Sequence, residues 1–140
     1  MNNAPIGIFD SGSGGLSIYQ SVAALLPRES VVYLGDHAYL PYGDKSTDFI
    51  KKRGVQCIDF LVSQKAKLIV VACNTATVAG IEYFRTVFPD IPIVGVVPVV
   101  KTAAAVSETK YFVVLSTPFT AGSTYQKELI RFVVISLLLT

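Results

Sequence analysis

Two short stretches hold the residue types that could do chemistry. In Cys73-Asn74-Thr75 a thiol follows five apolar residues, Leu68 to Ala72, and precedes a helical pattern. A cysteine at such a junction sits beside unpaired backbone N–H groups and the positive end of a helix dipole. Both stabilise the thiolate, the form that acts as base or nucleophile. Asn74 and Thr75 add polar atoms suited to capping the helix. The competing reading is a free cysteine that merely fills space. That reading suits Cys57, which lies in an apolar stripe with Ile50, Val55, Ile58 and Leu61. The second stretch is Asp10-Ser11-Gly12-Ser13-Gly14-Gly15. Its three glycines and two serines expose backbone N–H groups that can face an anion, or simply make a tight turn. Serine at position 17 breaks the dinucleotide spacing, and the Gly-Lys-Ser/Thr of a phosphate loop is absent. A carboxylate at Asp10 fits an ammonium group, or the orienting of an acid–base partner, better than a phosphate. Pro41-Tyr42-Gly43 reads as a turn on composition alone. His37 is the only histidine, no second metal ligand stands at a recognisable spacing, and no Ser-His-Asp order occurs.

The elements that must position these residues alternate along the chain. Strand-like runs are Ile6–Phe9, Val31–Leu34, Leu68–Ala72, Ile91–Val97 (interrupted by Pro92) and Tyr111–Leu115. Helical spacing marks Leu16–Leu26, Thr47–Ser63, Ala76–Val87, a segment from near Pro98, and another from Ser116-Thr117 through Ile130. The third run is apolar without alternation, as expected of a strand covered on both faces. Strands alternating with helices predict an α/β fold, a parallel sheet with helices on both faces. Asp10, Gly35-Asp36, Cys73-Asn74-Thr75 and Ser116-Thr117 each follow a strand directly. In open parallel sheets these carboxyl ends share one edge, and ligands bind in the crevice outside it. The final stretch, residues 131–140, is apolar after Arg131 without helical periodicity. It reads as a divergent tail, a last buried strand or the mark of a truncated chain.

Composition narrows the function. The 140 residues suit one ordinary domain. Half are apolar (51 %), only 16 % are charged, and mean hydropathy is +0.53. So much apolar surface excludes a disordered linker. A net charge of +2 without basic clusters argues against a nucleic-acid or anionic-membrane partner. The apolar runs are far shorter than a bilayer span. The polar start, Met1 to Pro5, has no signal-peptide character, and two cysteines make no disulfide framework, so a reducing cytoplasm is expected. The apolar surplus is compatible with a homodimer.

Taken together, Phe9 to Leu16, Gly35-Asp36 with Pro41-Tyr42-Gly43, and Ala72-Cys73-Asn74-Thr75-Ala76 resemble bacterial glutamate racemases in residues, order and spacing. Pro98 to Lys101, and Leu115-Ser116-Thr117 with Thr120, Ser123 and Tyr125, resemble the family's next two blocks, so the resemblance spans about residues 5–130. It implies a cofactor-independent isomerase that interconverts L- and D-glutamate and supplies D-glutamate for peptidoglycan. Two cysteines would flank the substrate Cα, one removing its proton while the other delivers a proton to the opposite face. By resemblance Cys73 is the first of these, Asp10 assists it, and Asp10, Ser11, Tyr42, Gly43, Asn74 and Thr75 bind glutamate, with Thr117 and Thr120 as further contacts. The family fold has two α/β lobes. Residues 1–97 would form the first, 98–130 would begin the second, and 131–140 would be the divergent tail. Family members are about twice as long, and their second cysteine lies in the half not present here. Cys57, in mid-helix, does not replace it. Val97 and Ser116 stand where many members carry glutamate and glycine. Two other readings stay open: a related racemase acting on aspartate or another amino acid, and a non-enzymatic anion- or phosphate-binding module.

Overall fold

The computed structural model describes residues 3–138 except 98 and 110, with side chains as far as 131. Four parallel strands, β1 (Ile6–Asp10), β2 (Val31–Gly35), β3 (Leu68–Val71) and β4 (Ile93–Gly95), form one sheet in the order β2-β1-β3-β4. The register sets Asp10 opposite Gly35 and Phe9 opposite Val71, which brings three strand ends to one edge.

Helices connect the strands: α1 (Leu16–Leu25) after β1, α2 (Thr47–Ser63) after β2 and α3 (Asn74–Val87) after β3. The chain moves one way across the sheet from β1 to β2, then the other way over β1 to β3. Right-handed crossovers in opposite directions put their helices on opposite faces. Side-chain alternation agrees. Ile6, Ile8, Val70 and Ala72 pack under Ile18 and Val22 of α1. Phe9, Ile69, Val71 and Ile93 face Ile50, Ile58 and Leu61 of α2 and Phe84 of α3. The apolar stripe read for α2 is thus its buried face, and its start at Ser46 is capped by a side chain that accepts the Phe49 N–H at 3.2 Å.

Beyond β4 the structure departs from expectation. The helix placed near Pro98 is α4 (Val100–Val106); Pro98 itself lies outside the described residues. Tyr111–Leu115 is not a strand. It has no regular secondary structure and no ladder partner among the described residues, and Tyr111, Val113 and Leu115 are almost wholly exposed. Its composition favours a strand, but a strand needs a neighbour to pair with. The single helix expected from Ser116 is two, α5 (Pro118–Gly122) and α6 (Thr124–Leu138), divided at Ser123, whose hydroxyl accepts the Gln126 N–H at 3.1 Å. The tail is not a strand either: α6 runs through it to Leu138, and residues 139 and 140 lie outside the described residues. A helix started at Ser123 meets no glycine or proline before its end, so nothing stops it. Val100 and Ala104 of α4 pack with Leu129 of α6 in a small core apart from the sheet.

Candidate active site

Reversal of strand order between β1 and β3 makes a switch point, where the loops leaving adjacent strands diverge and open a crevice. Asp10 ends β1, and Cys73 lies two residues beyond β3. A cavity of about 590 Å³ opens there, lined by Asp10, Gly14, Gly15, Cys73, Asn74, Thr75, Thr117 and Thr120 on its polar side. Val96, Val97, Val99, Val100 and Phe112 to Leu115 supply an apolar wall.

Cys73 is 5 % exposed and occupies the N-cap of α3. Its Sγ accepts the Ala76 N–H at 3.4 Å, and its S–H donates to Ser11 Oγ at 3.3 Å. The sulfur therefore faces both a helix N-terminus and a hydroxyl that can rotate to donate to a thiolate. Asn74 and Thr75 open α3, where backbone N–H groups have no acceptor within the helix.

Asp10, 6 % exposed, turns its carboxylate back into the glycine-rich loop, where Oδ2 accepts the Gly15 N–H at 2.9 Å. The Leu16 and Ser17 amides bond to Ser13 and Gly14 carbonyls. These three N–H groups are thus satisfied within the loop, which for them is the tight-turn alternative and not the anion-facing one. The fit is close at Gly15. A Cβ there would lie 2.8 Å from Asp10 Cβ, 2.9 Å from Ala72 Cβ and 3.1 Å from the Tyr33 hydroxyl. That hydroxyl donates to the Gly12 carbonyl at 3.0 Å. Burial, and then the charge of Asp10, push Tyr33 up to about 12.

Thr75, Thr117 and Thr120 place three hydroxyls in a triangle with Oγ1 separations of 3.1 to 3.4 Å. Thr117 also caps α5 by accepting the Thr120 N–H at 3.3 Å. The triangle joins the start of α3 to the segment after Leu115, so residues more than forty positions apart share one wall of the cavity.

Of the residues singled out in the sequence, Asp10, Cys73, Asn74, Thr75, Thr117 and Thr120 meet at the cavity, and Ser11 reaches it through its bond to Cys73. Tyr42 and Gly43 do not line it. The Tyr42 side chain is 2 % exposed, packs on Phe9 and donates its hydroxyl to Asp36 Oδ2 at 2.6 Å, so only the turn's backbone is left to meet a ligand. Gly43 abuts Thr117 of the cavity wall: a Cβ there would stand 2.8 Å from Thr117 Cβ. His37 is exposed at the start of a 3-10 turn. Cys57, on the buried face of α2, lies in the core, where burial pushes its thiol up to about 11. Tyr33 and Arg53 escaped the sequence reading because each acts on a residue far away in the chain. Among the described residues no three potential metal ligands cluster, and no helix is long and apolar enough to cross a membrane.

Residues 6–138 match the family model described as Asp/Glu/hydantoin racemase. The glutamate racemase of Cupriavidus pinatubonensis is 48 % identical over 123 residues, 88 % of this chain and 45 % of that protein. Among solved structures, Escherichia coli glutamate racemase in complex with L-glutamate and the activator UDP-MurNAc-ala superposes with a TM-score of 0.86 at 40 % identity, over 93 % of this chain and 50 % of that one. The glutamate racemase from Aquifex pyrophilus gives 0.84 at 37 % identity, over 92 % and 51 %. The chain spans about half the length of the relatives it matches.

Proposed function

The chain belongs to the Asp/Glu/hydantoin racemase family, and from this premise we propose that it carries one half of a glutamate racemase site. In this reading residues 1–97 are the first lobe, and α4 to α6 begin the second. The Cys73 thiolate removes the α-proton from one face of glutamate. Racemisation then needs a proton donor on the opposite face, the role the resemblance gives to a second cysteine.

The observation that carries the proposal is Cys73 capping α3 at the switch point, with Asp10 and the threonine triangle around the same cavity. The α-proton of an amino acid is a weak acid, so the site must favour the developing carbanion. It can do so by keeping the ammonium charged and giving the carboxylates fixed donors. Asp10 supplies a carboxylate for the ammonium, or for the proton leaving the Cys73 thiol. The threonine hydroxyls and the first amides of α3 supply donors. The substrate is free glutamate, the compartment the cytoplasm and the product D-glutamate for the cell wall.

Ligand protection of Cys73 tests this reading. Alkylation of Cys73, mapped by mass spectrometry, should slow with added glutamate and respond far less to aspartate. Protection by aspartate alone would favour the related racemase, and protection by phosphate or nucleotide alone the anion-binding module.

A further inference from the structure

We propose that Arg53, on α2 and outside the cavity, is a positioning residue that fixes the Tyr42–Gly43 turn through the buried carboxylate of Asp36. The inference rests on the glutamate reading, because that turn is one of the segments assigned to the substrate.

Asp36 is 7 % exposed, and its backbone N–H donates to the Asp10 carbonyl at 2.9 Å, which pins it beside the end of β1. Three donors hold its carboxylate. Arg53 Nη2 reaches Oδ1 at 2.6 Å and Nε reaches Oδ2 at 3.0 Å, while the Tyr42 hydroxyl reaches Oδ2 at 2.6 Å. The guanidinium is held in turn: Nη1 donates to Gln56 Oε1 at 2.6 Å, and Cζ lies over the Tyr39 ring, 4.0 Å from its centre. A planar fork that pairs with a carboxylate and stacks on a ring is a job for arginine and not for lysine. Tyr42, fixed at its hydroxyl by Asp36 and at its ring by Phe9, leaves Gly43 against Thr117. A continuous line of contacts thus runs from α2 through Asp36, Tyr42 and Gly43 to the threonine triangle. Among the described residues, the partners of Arg53 are Asp36, Gln56 and Tyr39, none of which lines the cavity, so its effect on a ligand passes along this line.

Removing Arg53 alone would strand a buried charge and could unfold the chain. The test therefore uses Tyr42→Phe, Arg53→Lys and the paired variant Asp36→Asn/Arg53→Gln, which removes both charges together. Glutamate Kd, the Gly43 amide resonance and Cys73 alkylation without ligand are measured on the 140-residue chain. In all three variants Kd should rise about tenfold, the worth of one charge-assisted hydrogen bond. The Gly43 amide should shift, and Cys73 should alkylate at the wild-type rate, which a general loosening of the fold would not leave unchanged. Wild-type affinity in the paired variant would mean that Arg53 only neutralises Asp36, and would overturn the proposal. An unmoved Gly43 amide in the ligand-free variants would overturn it whether or not glutamate binds. Failure of the wild-type chain to bind glutamate would instead strike the glutamate reading.

Discussion

Gly15→Ala separates two explanations of the glycine-rich loop by the sign of its effect. Gly15 sits at φ −64° and ψ −9°, right-handed backbone that alanine adopts freely. If the loop used glycine here only for turning, alanine would stabilise the fold by about 0.4–1 kcal/mol through the unfolded chain. The surroundings predict the reverse. The new Cβ would meet Asp10 Cβ at 2.8 Å and Ala72 Cβ at 2.9 Å, both close to the backbone and unable to swing away. Overpacking of this kind costs about 1–3 kcal/mol. Taking the middle of both ranges, about 2 kcal/mol of overpacking less about 0.7 kcal/mol of unfolded-state gain leaves a net loss of about 1.3 kcal/mol, or about 3–5 °C in the melting midpoint for a chain of this size. The strain falls on Asp10 and on the strand end before Cys73, so glutamate protection of Cys73 should weaken as well. Thermal unfolding and Cys73 alkylation check both effects. A midpoint equal to or above wild type would refute the packing argument.

Three further outcomes follow from the same structure. Cys57 and Tyr33 hold their protons to higher pH in the folded chain than in the unfolded one, where their ordinary values apply. The folded state thus binds more protons in that window. Stability is fully present below about pH 8.5 and should fall as pH rises toward 11, with Cys57→Ala flattening part of the decline in a denaturant series. Lysine substituted together at Tyr111, Val113 and Leu115, all at least 85 % exposed, should change stability by less than about 0.5 kcal/mol per site while raising solubility; a large drop in the unfolding midpoint would show that the segment is packed. Gly43→Ala should weaken glutamate binding more than it destabilises the fold, because its Cβ would press on Thr117; calorimetric titration beside thermal melts reads the two apart.

The first three strands and helices were legible because each carries its own signal. Leu68 to Val71 is a continuous apolar run, and α2 has both a cap at Ser46 and a clean stripe. Beyond β4 local signals no longer decide. Tyr111 to Leu115 has the residues of a strand, but pairing is a property of two segments, and one sequence window shows only one of them. The apolar tail lacks periodicity, yet a helix already started at Ser123 continues through it for want of a breaker. At the candidate site, Asp10 and Cys73 were visible because strand ends in a parallel sheet share one edge. The inward turn of Tyr42 was not, since a tyrosine after a proline reads as an exposed turn residue. Nor was Arg53, whose partner stands seventeen positions away on another element.

Exchange of the glutamate α-proton with D₂O tests the central claim most directly. D- and L-glutamate are incubated separately with the chain, and both α-proton loss and chirality are followed. A single base at Cys73 predicts exchange of one enantiomer with its configuration retained, and loss of that exchange in Cys73→Ala. Exchange that persists in Cys73→Ala would contradict Cys73 as the base, and none from the folded wild-type chain would contradict a half-site competent by itself.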